Sequence, residues 1–336
     1  MSAFKTLSPI VSPQAPQASF NIIACIGPSA DSDFVVPHAL AVGKALSAPV
    51  TLLQVLDAQP SREARPDPIE WDVRRHEARK ALGGLARGDN STAQAEIALA
   101  EGHTVDEICR YANGKAECVL ILGRGTDGGV NARRIGSTVH NVTGRAPGSI
   151  LLVPAGSHAD IDPQYRRILV PVDGSPWAES VLPLAVRLAK ANGAELVLVH
   201  VVPPAELTEI GPLEPEDIQL RARVVDRNER IAQRYLARVK AYLADTGVRV
   251  RALLRRSDDV RASLVDLVAH EGADLVVLSA RGQGGQHHAA LRYGSVAGYL
   301  MAQSPVPLLI VRPPESDLGD YLVESGNLRQ PTGARG

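Results

Sequence analysis

Two groups of residues in the second half of this 336-residue chain have the types and spacing to hold a phosphorylated ligand. The first is Ser279-Ala280-Arg281-Gly282-Gln283-Gly284-Gly285, followed by Gly294-Ser295-Val296 where a helical pattern opens. Glycines let backbone N–H groups approach a phosphate, and a helix N-terminus favours an anion. The Ser295 hydroxyl can donate to a phosphate oxygen or cap the helix. A surface loop followed by a capped helix fits the same residues. The second group is Asp173-Gly174-Ser175, which follows a short apolar run. A carboxylate at the end of a first strand can accept from a ribose hydroxyl. An Asp in Asp-Gly-Ser also makes a turn by bonding its own backbone.

Other chemistry-bearing residues carry less. Gly123-Arg124-Gly125-Thr126-Asp127-Gly128 spells a dinucleotide fingerprint, but it follows a fourth strand and the next helix starts only near Gly136. No P-loop pattern exists. His287-His288 are adjacent on a loop with no acidic or Cys partner nearby, which reads as solvated histidine rather than a metal site. Arg133-Arg134 could meet an anion or stand as a solvated pair. His200 reads as a structural residue at a strand end. Cys25, Cys109 and Cys118 are too few and scattered for a disulfide framework or zinc site. Cys25 and Cys118 fall on core strands.

The elements that must position these groups come in two copies. A shift of 146 residues sets Ser29 against Ser175, Pro37 against Pro183 and Lys44 against Lys190. A shift of 158 sets Gly136-Ser137 against Gly294-Ser295 and Pro147 against Pro305. The 12-residue difference places an insertion mid-unit, mostly in a longer central helix of the second copy. In that copy, strands are expected at 167–172, 196–202, 248–254, 274–279 and 308–311. The expected helices are one from Ala178 to Ala189, stopped by Asn192-Gly193, and a long one from Pro215 to Asp245. A third is capped by Ser257 or Asp258, and a last one opens at Gly294. The first copy repeats the strands at 22–26, 50–56, 95–99, 119–122 and 150–153, with Trp71 and Arg74/Arg75 on its central helix. Strands separated by helices predict right-handed crossovers and parallel pairing. The fold class is therefore α/β: two tandem doubly wound Rossmann-like domains, each with a five-stranded parallel sheet. The expected domains are 19–157 and 164–314, with flexible segments at 1–18 and 315–336.

Composition agrees. Aromatics are only 4% of residues, so the cores must be aliphatic, as parallel sheets prefer. A net charge of −1 argues against a nucleic-acid binder. No apolar run is long enough to span a membrane, and no leader pattern opens the chain, which points to a cytoplasmic protein.

Val170-Pro171-Val172-Asp173-Gly174-Ser175, Leu198-Val199-His200-Val201, Gly282 with Gly294-Ser295-Val296, and the run 305–311 together resemble the universal stress protein family. The likeness covers both halves, as in a tandem member. It implies a stress-response or regulatory protein that binds ATP, with Mg accompanying the nucleotide, and that is not an enzyme. The implied ligand set is Pro171, Asp173 at the ribose, Val201 at the adenine, and Ser279, Gly282, Gly294, Ser295 and Val296 around the phosphates. Ser279 stands where the family loop has its first Gly, and 11 residues rather than nine separate Gly282 from Gly294. In the first half Gly27 replaces the Asp and Leu122 the loop Gly, and ten residues separate Gly125 from Gly136. The expectation is a candidate site in the second half and a degenerate one in the first. The resemblance also implies an intramolecular pseudo-dimer through the two fifth strands, with a homodimer as a further option, and a regulatory protein partner. Two other functions stay open: an interaction module without nucleotide, and a slow nucleotide hydrolase. Against the hydrolase, no carboxylate side chain occurs from Leu275 through Pro314, although Arg281 and Arg292 are cationic.

Overall fold

The computed structural model describes residues 20–27, 32–57, 67–87, 95–115, 117–125, 135–155, 163–204, 214–282 and 293–312. The terminal segments 1–18 and 315–336, residues 126–128 of the glycine fingerprint, Arg133-Arg134, His287-His288 and Arg292 lie outside them.

The first half runs β1 (Phe20–Ile26), α1 (Ser32–Leu46), β2 (Val50–Asp57), α2 (Pro68–Arg87), β3 (Glu96–Gly102), α3 (Thr104–Asn113), β4 (Glu117–Arg124), α4 (Ser137–Arg145) and β5 (Ser149–Pro154). The second half runs β6 (Arg167–Pro171), α5 (Pro176–Glu179), α6 (Leu182–Asn192), β7 (Glu195–Val202), α7 (Pro215–Leu243), β8 (Arg249–Arg256), α8 (Val260–His270), β9 (Leu275–Ser279), α9 (Ser295–Gln303) and β10 (Leu308–Val311). The ten strands among the described residues form one sheet in the order β3-β2-β1-β4-β5-β10-β9-β6-β7-β8. Each half is parallel throughout. Among the described residues only β5 and β10 pair antiparallel, with Leu152 opposite Leu308 and Ile150 opposite Ile310. The order reads the same from either outer edge, so a pseudo-twofold relates the halves. The pairing removes the edge that each fifth strand would otherwise expose.

Helices cover both faces of the sheet. Along β1, Ile22, Ala24 and Ile26 enter the core under α1, α2, α6 and α7. Ile23 and Cys25 enter the core under α3, α4, α8 and α9. Burial on both faces explains why the strands are continuous apolar runs. The three cysteines, far apart in sequence, lie in the second of these cores, buried and not joined in disulfides. Burial pushes the Cys25 and Cys118 thiols up from their ordinary range.

Some boundaries differ from the sequence reading. The helix expected from Ala178 to Ala189 is broken into α5 and α6. Pro183 cannot donate to the Glu179 carbonyl, so the helix restarts with that proline in its first turn. The cap of α8 is Asp259, not Ser257 or Asp258. Asp259 has extended backbone, and its carboxylate accepts from the N–H groups of Arg261 and Ala262. The central helix of the second half is the longer one, 29 residues against 20 in α2. A 3-10 turn, Ala244–Thr246, ends it.

Across the halves, α1 packs on α6 on one face. His38 of α1 meets the Tyr165 hydroxyl at 2.8 Å, with both side chains buried. On the other face two arginines cap opposite helix ends. Arg124, at the end of β4, donates to the Met301 carbonyl at 2.7 Å and to the Ser304 carbonyl at the end of α9. Arg312, after β10, donates to the Thr143 and Ala146 carbonyls at the end of α4. The shift of 158 residues relates Thr143 to Met301 and Ala146 to Ser304, so both clasps engage equivalent carbonyls. Cations suit these positions because the last carbonyls of a helix lack partners and carry partial negative charge.

Candidate functional site

The second half has its topological switch point between β6 and β9, where ligands of doubly wound sheets bind. Asp173 lies two residues beyond the end of β6 and is half-buried. Its Oδ1 accepts from the Ser175 N–H at 2.9 Å and from the Ser175 hydroxyl at 2.6 Å. Ser175 Oγ in turn accepts from the Ala178 N–H at 3.2 Å and caps α5. Gly174 between them has φ +80°, which a glycine adopts without strain. The turn role is thus realised, and it fixes the carboxylate. The other oxygen points across the switch point. A Cβ at Gly282 would lie 2.5 Å from Asp173 Oδ2, so only glycine fits there without displacing the carboxylate.

The loop after β9 is tied at its base. Gly294 donates to the Ala280 carbonyl at 2.8 Å, and Ala280 donates to the Val311 carbonyl at 3.1 Å. Ser279 is buried, and its hydroxyl accepts the Arg281 N–H at 3.3 Å. Gly294 is the N-cap of α9 and no side chain caps it. The capping role read for Ser295 is therefore not found: Ser295 is the first helical residue, exposed, with Val296 half-buried behind it. Residues 283–285 of the loop lie outside the described residues. Arg281 turns back toward α5, its guanidinium 5.7 Å from the Trp177 ring centroid.

Pro171 and Val201 stand at the carboxyl ends of the neighbouring strands β6 and β7. Pro171 ends β6 opposite Val199, and Val201 is buried near the end of β7. His200 donates Nδ1–H to the Val172 carbonyl at 2.8 Å, so it braces the residue before Asp173. Behind it stand three residues that the sequence reading missed. Tyr235 lies edge-on to His200, with centroids 6.2 Å apart. Glu179 is buried and accepts from Arg238 at 3.2 Å. Burial pushes the Glu179 carboxyl up, with Arg238 opposing the shift. Burial and the Glu179 carboxylate push the Tyr235 phenol up. The i, i+3 spacing of Tyr235 and Arg238 on α7 was a usable signal for one face, but nothing in the spacing pointed that face at Glu179.

The first half lacks this arrangement. Gly27 follows β1, and Leu122 is buried within β4. Arg124, two residues after Leu122 as Arg281 is after Ser279, is committed to the α9 carbonyls. Among the described residues, no group of three or more His, Cys, Asp or Glu converges as metal ligands do, and no helix is long and apolar enough to cross a membrane.

The fold and the repeat agree with comparisons to known proteins. The profile described as "Universal stress protein family" matches residues 19–154 and again 164–312. A universal stress protein of Mycolicibacterium smegmatis is 26% identical over 306 residues, spanning 88% of this chain and 97% of that protein. One from Thermus aquaticus is 33% identical over 149 residues, spanning 44% of this chain and 99% of the relative. Among solved structures, a universal stress protein from Archaeoglobus fulgidus superposes with a TM-score of 0.61 at 18% identity, over 87% of this chain and 98% of its own. With both halves matched, the chain belongs to the universal stress protein family as a tandem member.

Proposed function

We propose that the second half binds an adenine nucleotide, ATP with its Mg ion, and that the protein acts as a non-catalytic regulatory or stress-response binder. The observation that carries this reading is the contact of Asp173 with Gly282 across the switch point, where a Cβ would intrude to 2.5 Å. It sets a carboxylate suited to ribose hydroxyls against a glycine suited to close phosphate approach. Asp173 would take the ribose, and Pro171 and Val201 the base. Gly282 and the uncapped start of α9, Gly294-Ser295-Val296, would take the phosphates, with Ser279 shaping the loop. The nucleotide, when bound, supplies a charged triphosphate; the chain's own residues bind and orient it.

Binding rather than turnover is favoured because Asp173 and Glu179, the acids described beside the switch point, are engaged. Asp173 is held by Ser175, and Glu179 is held by Arg238. Neither stands free as a base, and ground-state binding of phosphate by Arg281 would not speed chemistry. Calorimetric titration of the full chain with Mg²⁺ and ATP, followed by product analysis, tests the reading. Binding with at most slow turnover supports it. No heat of binding would leave an interaction module, and multiple turnovers per minute would make the protein a hydrolase.

A further inference from the structure

At the mouth of the second-half loop a side chain from the first half takes part. Tyr293, immediately before Gly294, places its hydroxyl 2.9 Å from Nε2 of His140 in α4. The two rings meet edge to face, with centroids 6.2 Å apart. The Tyr293 ring lies on α9, since a Cβ at Gly298 would come within 3.2 Å of its Cε2. Its chain neighbour Gly294 closes the loop on the Ala280 carbonyl. Tyr293 is therefore held by α9 below it, by the loop closure beside it and by His140 across the interface.

The contact has no mirror. The shift of 158 residues that relates Gly136 to Gly294 also relates Ile135 to Tyr293 and His140 to Gly298. The mirrored pair would be Ile135 and Gly298, which have no polar side chain to exchange. The first half thus holds the loop of the second, and the reverse contact has no chemistry. This asymmetry has the same sense as Asp173 against Gly27. The far end of α4 is fixed as well, because Arg312 binds its last carbonyls.

We propose that His140 is a positioning residue for the second-half ligand site. Through the Tyr293 hydroxyl it holds Gly294-Ser295-Val296 in place opposite Gly282. This rests on the nucleotide reading of that site. Ordering the start of α9 beforehand removes part of the entropy that binding would otherwise lose. By linkage, a ligand that holds this segment also tightens the contact between halves.

The test uses the full chain with His140→Ala, His140→Gln, Tyr293→Phe and the His140→Ala/Tyr293→Phe double variant. His140 is exposed, so its replacement leaves the core intact. Two readouts are taken: hydrogen exchange of amides 294–297 without ligand, and ATP affinity by calorimetry. Each single variant, His140→Ala and Tyr293→Phe, is expected to speed exchange and weaken ATP by about fivefold, the scale of one net hydrogen bond. The double variant is expected to be no worse than either single one. His140→Gln, whose amide reaches about as far as Nε2, is expected to restore both readouts. Unchanged exchange in both single variants overturns the proposal, as does unchanged ATP affinity where the wild type binds. If the wild type takes no ATP, the nucleotide reading falls and the exchange readout alone decides. Faster exchange restored by Gln then keeps His140 as the positioning residue, and unchanged exchange removes it.

Discussion

Asp173 both builds a turn and faces the proposed ligand site, and its two oxygens divide the work. Oδ1 is committed to Ser175, while Oδ2 faces Gly282. Gly282→Ala would force the carboxylate aside. It is expected to weaken ATP about tenfold and to leave thermal stability nearly unchanged, because the residue is half-buried on a loop. Equal ATP affinity in calorimetry would show that the carboxylate and the loop do not act together. His38 gives a separate residue-scale prediction. Burial against Tyr165 holds its imidazole down to about 4, and Asp274 lies behind that tyrosine. The folded-state pKa is depressed below the ordinary 6.5, so the unfolded chain protonates first as pH falls. Full stability is therefore present above pH 6.5 and declines toward pH 4, by up to about 3 kcal/mol from this group. His38→Gln has no such titration and should flatten the decline in urea melts between pH 7 and 4.5. Coincident curves for the two proteins would refute the assignment.

At the scale of elements, α7 divides into two parts. Its buried residues begin only at Ala232 and continue through Leu236, Val239 and Leu243. Leu236→Ala should cost about 2–4 kcal/mol, read from the urea midpoint. Ile218→Ser, at a position 56% exposed, should shift stability by no more than about 0.5 kcal/mol. A large loss at Ile218 would mean that the first turns are buried against something. Most elements were legible in sequence because strand and helix periods are local. Runs such as 275–279 and the glycine stop at Gly193 needed nothing beyond their own neighbours. The repeat then made each half a check on the other, and the longer α7 followed from the difference between the two shifts. What stayed hidden depended on backbone angles or on distant partners. The cap of α8 turns on the extended backbone at Asp259 rather than on which of three adjacent polar residues is present. Proline alone does not mark the break between α5 and α6, since Pro37, the counterpart of Pro183, sits within a continuous α1. Glu179, Tyr235 and Arg238 meet only when α7 is laid on the sheet.

At the scale of the whole molecule, the antiparallel junction of β5 and β10 makes two units into one ten-stranded sheet. It also turns the carboxyl ends of the two halves toward opposite ends of the sheet, so the candidate site does not share an end with the corresponding strands of the first half. Arg124 helps hold the junction from a buried position, and it occupies the place in its own half that Arg281 has near the proposed ligand site. Arg124→Ala leaves helix carbonyls unpaired and should destabilise the protein by roughly 2–4 kcal/mol. Unfolding by urea reads the loss, and a change below about 0.5 kcal/mol would remove Arg124 from the junction's support. The proposal divides labour between the halves: the second binds nucleotide and the first holds the start of α9. The most direct measurement is the stoichiometry of ATP binding to the full chain, by calorimetry with Mg²⁺, in the wild type and in Asp173→Ala. One nucleotide per chain is expected, weakened by about 1–3 kcal/mol in Asp173→Ala. Two nucleotides per chain, or one whose affinity Asp173→Ala leaves unchanged, would contradict it.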